Sequence, residues 1–198
     1  PGSFRVSAPS GQTVNLVIET NYPEAGCIRV RIELANPETF TLAVRIPGWS
    51  KQTELRVNDR MCPSPAHGTF AEVERSWSHG DILQCHLDMR GRVVRFPVSN
   101  DDVPKPYLAV ECGPLVLARD IRLGDPDIDA PVRIDADESG HVELTEADPA
   151  EGMWRAYRTR SKVTPDISLC DYSSAGQTWN RETSAFRVWL PVNTEEKQ

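Results

Sequence analysis

The sequence predicts an all-β protein, an antiparallel β-sandwich of jelly-roll-like character with a β-rich segment appended to it or inserted in it. Three observations carry this. Apolar side chains recur at every second position in short runs along most of the 198 residues, the pattern of half-buried antiparallel strands. Sixteen prolines and 12 glycines punctuate the chain, mostly between those runs, at the spacing of a sandwich or barrel. No stretch holds a 3.6-residue period over about eleven positions. The nearest, "MWRAYRTRSK" from Met153, lacks both an apolar stripe and a C-cap.

In chain order the first candidate strand is "TVNLVIE" from Thr13. In "CIRVRIEL", Ile28, Val30, Ile32 and Leu34 share one face, while Arg29, Arg31 and Glu33 take the other. "FTLAVRI" sets Phe40, Leu42, Val44 and Ile46 against Thr41, Ala43 and Arg45. "ELRVN" and "TFAEVER" follow, and then "ILQCHLDM", with Leu83, Cys85, Leu87 and Met89 on one side. Beyond these stand "RVVRFPV", "YLAVEC", "PLVLARD", "PVRID", "HVELT" and, last, "AFRVWLPV". Turn signals separate them: "NYPEAG", "IPGW", "NDRMCPSP", "SHGD", "CGP" and "GDPD".

Charge divides the chain. Asp120 to Glu151 holds 11 acidic and two basic residues, and the remainder holds 18 acidic and 20 basic. A near-neutral body with one acidic segment follows, and a sub-structure beginning near residue 120. The expected organisation is therefore a main sandwich over 1–118, completed by the last strand 183–193, with 119–182 as an acidic β-rich insertion or small subdomain. The formal charge of −7 speaks against nucleic acid, which needs a basic footprint. No apolar run reaches bilayer length. The chain starts "PGSFRVSAPS", without an initiator Met or a targeting pattern, which suggests a piece of a longer polypeptide. Its five cysteines are odd in number and widely spaced. They read as reduced, with Cys85 and Cys112 at apolar positions as small buried hydrophobes.

Little in the chain carries chemistry. "DPDIDA" places Asp125, Asp127 and Asp129 at alternate positions, but a calcium loop would want glycine where Ala130 stands and glutamate where Ala136 stands. An acidic turn is the better reading. Glu72 and Glu74 share a strand face, yet glycoside hydrolysis needs one carboxyl held protonated across a cleft from another. The four histidines form no metal-ligand pattern, and no nucleotide or serine-nucleophile motif occurs. Catalytic residues, metals and cofactors are all expected to be none.

Five tryptophans (Trp49, Trp77, Trp154, Trp179, Trp189) raise a sugar-stacking question. Trp49 and Trp77 follow strands directly, and Trp189 alternates opposite Val188 and Leu190. These three are the nominated contact residues, for a carbohydrate or for a neighbouring domain.

Several stretches taken in order resemble glycoside hydrolase family 127, the β-L-arabinofuranosidase-like family of bacteria. They are "IETNYP", "FTLAVRIPGW", "LRVN", "FAEVERSWSHGDILQCHLDM", "AVECGPLVLA" and "SAFRVWLP". The resemblance covers 18–118 and the last strand well, and 119–180 poorly. It implies the C-terminal β-sandwich region of such an enzyme, whose chemistry sits in an N-terminal (α/α)6 barrel with a catalytic Glu and a zinc-held cysteine. Nothing in this chain matches those catalytic motifs. Cys112 stands before G-P-L-V where the family usually has Arg. The function implied is a non-catalytic accessory domain of a hydrolase acting on plant-type arabinose-containing glycans, inactive alone. Its partner would be the barrel of the same parent chain, with a homodimer face and a glycan as further partners, in the cytoplasm or periplasm. The alternative is a carbohydrate-binding module using exposed tryptophans; an enzyme in its own right would need a pKa-shifted carboxyl pair.

Overall fold

The computed structural model describes residues 1–95, 107–125, 127–161, 165–177, 180 and 184–192. The chain divides into two compact units, Pro1–Met89 and Arg90–Gln198. Among the described residues every regular element is a strand, apart from two 3-10 turns at Ile121–Leu123 and Tyr172–Ser174. All named ladders are antiparallel, as the alternation predicts.

In the first unit, six strands form one sheet. Their order is β1 (Gly2–Ser7), β2 (Thr13–Thr20), β3 (Cys27–Glu33), β8 (Ile82–His86), β5 (Glu54–Val57) and β6 (Arg60–Met61). A second sheet holds only β4 (Glu38–Arg45) and β7 (Phe70–Trp77). Register places Ile28 opposite Cys85 and Val30 opposite Leu83, with Leu55 and Val57 across from the same two residues. These side chains share a core with Ile46, Ala71 and Trp77 from the β4–β7 side. The hairpin from β5 to β6 turns through Asn58 and Asp59, at φ of 48° and 62°. Asn and Asp are the non-glycine residues best suited to a left-handed two-residue turn.

The second unit is built on one sheet in the order β12 (His141–Val142), β9 (Gly91–Arg95), β10 (Tyr107–Cys112), β11 (Leu115–Asp120), β15 (Ile167–Asp171), β14 (Ala156–Thr159) and β13 (Thr145–Ala147). Two short strands close it: β16 (Phe186–Arg187) pairs β11, and β17 (Leu190–Pro191) pairs β10. β11 is buried on both faces. Leu117 belongs to one core with Val110 and Leu169, and Ala118 belongs to another with Met153 and Cys170.

Strand pairing moves the division expected at 118/119. Among the described residues β10 and β11 bond to β9 and β15, within the second unit. The closing strand likewise pairs with β10 and β11 rather than completing the first sandwich. The acidic segment is thus continuous with the sheet that the residues before it begin. "PVRID" makes only isolated bridges, Val132 with Val192 and Ile134 with Ser161. β15 escapes the alternation rule because both of its faces are covered: in "ISLCD", only Ser168 is not buried. The end of "RVVRFPV", from Phe96, lies outside the described residues.

Gly26 shows how closely the start of β3 approaches the end of β8. Leu87 N–H donates to Gly26 O at 2.9 Å. A Cβ at Gly26 would overlap Leu87 O and lie 2.8 Å from Met89 Cγ. Gly26→Ala is therefore expected to lower stability by about 1–3 kcal/mol, read as a lower urea midpoint with an unchanged slope. An unchanged midpoint would show that the two segments separate freely.

Candidate functional site

The strand exit "RIPGWS" in the first unit is the first candidate. Ile46 is fully buried; Pro47 cannot donate to a ladder, and pairing of β4 ends there. Ser50 N–H donates to Pro47 O at 3.2 Å, closing a turn that carries Trp49 against the core, where it is half-buried. Ser50 itself is only 1% exposed. Its hydroxyl bonds Thr53 Oγ1 at 2.6 Å and accepts Asp88 N–H at 2.8 Å. Arg45 lies over the Phe70 ring and donates to the carbonyls of Ile46 and Thr69. This exit is a tied-down corner.

"WSHGD" forms a second corner. Trp77 has no exposed surface; its indole N–H donates to Phe40 O at 3.0 Å, and its ring stacks on Phe40 at 6.0 Å. No sugar can reach it, which removes it from the nominated contact residues. The Asp81 carboxylate accepts Ser78 N–H and the Asn58 amide, with Arg75 at 3.5 Å. Burial pushes the Asp81 carboxyl up, but those hydrogen bonds and the Arg75 charge outweigh it and leave it below its ordinary value.

In the second unit the sequence "LARD" ends β11 with two buried charges. Arg119 is 5% exposed. Its guanidinium engages the Asp125 carboxylate through Nε and one terminal nitrogen, and the carbonyls of Asp127, Ile128 and Ala130. All five of its N–H donors are thereby used. A cavity of about 280 Å³ opens beside it, lined also by Leu123, Pro131, Pro165 and Ile167. Because the loop itself consumes the guanidinium, Arg119 is not free to meet an anionic ligand in that cavity. The "DPDIDA" turn thus serves as the clamp on Arg119, and Asp129 pairs with Arg187.

Asp120 clamps the other side. It is 1% exposed and accepts Arg122 N–H at 2.9 Å, two guanidinium donors of Arg122, and Gly176 N–H at 2.8 Å. Burial raises its carboxyl, yet the Arg122 and Gly176 hydrogen bonds prevail and hold it below the usual carboxylate value. Cys170 beneath it is fully buried, and burial pushes its thiol up to about 12. Asp171 caps the turn at Tyr172–Ser174 through Ser174 N–H and Oγ. Sequence reading passed over Arg119 and Asp120; a charged pair ending an otherwise apolar strand was the available signal.

Trp189 is 36% exposed and Trp154 is 41% exposed. Trp154 N–H donates to Ser174 Oγ, and Arg155 lies 5.7 Å from its ring centre. Trp179 lies outside the described residues. Glu72 and Glu74 point away from the core on β7 and are exposed. The resolved carboxyl shifts among the described residues, at Glu33, Glu38, Asp81, Asp120 and Asp137, are all downward. Among the described residues no group of three or more His, Cys, Asp or Glu is placed to hold a metal ion. Among the described residues these side chains bind loops to sheets.

Residues 3–89 match the family model described as "Beta-L-arabinofuranosidase, GH127 middle domain". Nearly all of the first unit is thus similar to that middle domain. That description puts the matched segment in the middle of the family's chains, whereas the sequence resemblance placed it in a C-terminal region. Three solved structures share the fold over 96% of this chain. They are a glycoside hydrolase (23% identity, TM-score 0.72), a GH127 β-arabinofuranosidase (23%, 0.71) and a GH127 β-L-arabinofuranosidase from Geobacillus stearothermophilus T6 (19%, 0.70). The chain spans about a third of their length: 34%, 33% and 32%. No curated protein sequence matches it.

Two outcomes follow from the charge clamps. Arg119→Lys strands the carbonyls of Asp127, Ile128 and Ala130 and is expected to cost about 3 kcal/mol, measured by urea unfolding. Asp81 and Asp120 both titrate below the ordinary 3.8 when folded. Their stabilisation is therefore complete above that value and drains away as pH falls through it toward the folded values. The urea midpoint should drop as pH is lowered below about 4. Asp120→Asn should lower stability at pH 6 and flatten that pH dependence; an unchanged slope would remove Asp120 from the acid response.

Proposed function

We propose that this chain is a non-catalytic accessory β region of a longer glycoside hydrolase acting on arabinose-containing glycans, where it braces a catalytic domain carried elsewhere in the parent polypeptide. The observation that carries this reading is the joint one of family and coverage. The first unit matches a middle domain, and the whole chain overlays on about a third of longer hydrolases. The downward direction of the shifts at Glu33, Glu38, Asp81, Asp120 and Asp137 supports it, since a glycosidase acid must be held protonated near neutral pH. The parts given over to intramolecular clamps support it too: Ser50, Asp81, Arg119 and Asp120 all spend their polar groups on the chain's own backbone or side chains. In this reading the N-terminal barrel implied by the sequence resemblance is the partner, and Trp49 steadies the corner after β4 rather than meeting sugar.

Titration calorimetry tests it. The chain is expected to bind the separately expressed remainder of its parent with Kd of about 1 μM or tighter and to give no heat with arabinose-containing oligosaccharides. It should release no sugar from such glycans by itself. Saturable binding to the oligosaccharides alone would make it a carbohydrate-binding module instead.

A further inference from the structure

The two sheets of the first unit are unequal, and the inequality has a location. Strands lie roughly 4.8 Å apart, so the two-stranded sheet covers only part of the inner face of the six-stranded one. β7 lies on the β5–β6 side, sharing a groove lined by Val57, Met61, Val73 and Ser76. β4 lies on the β1–β2 side. There the Ser10 N–H and hydroxyl and the Gln12 amide all donate to the Glu38 carboxylate, at 2.6–2.7 Å. β1 is left out. Register puts Phe4 opposite Leu16 and Val6 opposite Val14, on the inner face. Val14 is fully buried, yet Phe4 is 57% and Val6 45% exposed.

Beside this strip runs a strand edge that carries no ladder among the described residues. Ile46 N–H donates to Thr69 O, and Ile46 O accepts Gly68 N–H, so the backbone of Ile46 points at the β7 side. Backbone groups alternate sides along a strand. Val44, Leu42 and Phe40 therefore face β7, and Thr39, Thr41 and Ala43 point theirs away. Among the described residues β4 has no second ladder. A strand added at that edge would lie over Phe4 and Val6.

We infer that β4 and the inner face of β1 form a receptor for one extended segment of the parent polypeptide lying outside this chain, bearing apolar side chains at alternate positions. The inference rests on the accessory-domain reading above and names the joint. Strand addition fits because one side of the cleft supplies unpaired N–H and C=O groups and the other an apolar floor. The parent is the fitting source because the related hydrolases are about three times as long as the part this chain covers. Elsewhere the six-stranded sheet meets its cover, so the added strand would complete a third row over β1 and β2.

Amide hydrogen exchange of Thr39, Thr41 and Ala43 tests this, in the chain alone at two concentrations and after mixing with the separately expressed remainder of the parent. Slowing on the order of 100-fold, seen only in the mixture, is expected. Thr41→Pro removes one outward N–H and leaves the β4–β7 ladder intact; it should weaken binding about tenfold without shifting the melting of the chain alone. Phe4→Asp, at an exposed position, should do the same should the proline perturb folding. Binding with these three amides unprotected would overturn the strand receptor and leave the accessory role standing. Protection that appears in the chain alone and grows with concentration would make a second copy the occupant. Failure of the remainder to bind at all would sink both readings.

Discussion

A protein whose described regular structure is almost all strand has no helical way to pair its backbone, and much else in it depends on that constraint. Each N–H and C=O of a strand must find its partner in a different segment. The connections, which have no ladder at all, must be held by side chains. This is why the polar residues buried here sit at strand ends. Ser50 receives the backbone of Asp88, Asp81 receives that of Ser78, and Asp120 receives those of Arg122 and Gly176. Each replaces a missing ladder bond with a side-chain one, and each is nearly or fully withdrawn from water.

The end of β11 concentrates this logic. Arg119 and Asp120 are neighbours in sequence, so the pleat sends them to opposite faces of one strand. Arg119 gathers the loop after it, and Asp120 gathers Gly176 N–H and holds Arg122, which donates to Ser174 O. A buried charge is tolerated when its hydrogen-bonding capacity is filled, and both side chains meet that condition. The strand thus organises two small cores and two loops from a single pair of residues.

Much of the fold was legible because half-buried strands write their burial into the sequence. β3, β4 and β8 follow the alternation in "CIRVRIEL", "FTLAVRI" and "ILQCHLDM" nearly residue by residue. β15 was illegible for the converse reason: cover on both faces erases the period of two. The unit boundary misled because charge changes near residue 120 while pairing changes near residue 90. Net charge reports the surface, and pairing is decided inside. Trp77 could not be placed by its position after a strand alone, since the residue that fixes it, Phe40, lies 37 positions away.

The closing strands carry a consequence for biosynthesis. Every ladder of the first unit joins residues between Gly2 and His86. That unit can form its own pairs while later residues are still on the ribosome. The second unit cannot: β10 and β11 wait for Leu190–Pro191 and Phe186–Arg187, some 70 to 80 residues downstream by their positions in the chain. Until those residues are released, β11 presents an unfilled edge next to the apolar Leu117 and Ala118. The interval between emergence of β11 and release of residue 190 is the time during which this polypeptide most needs protection from other nascent chains.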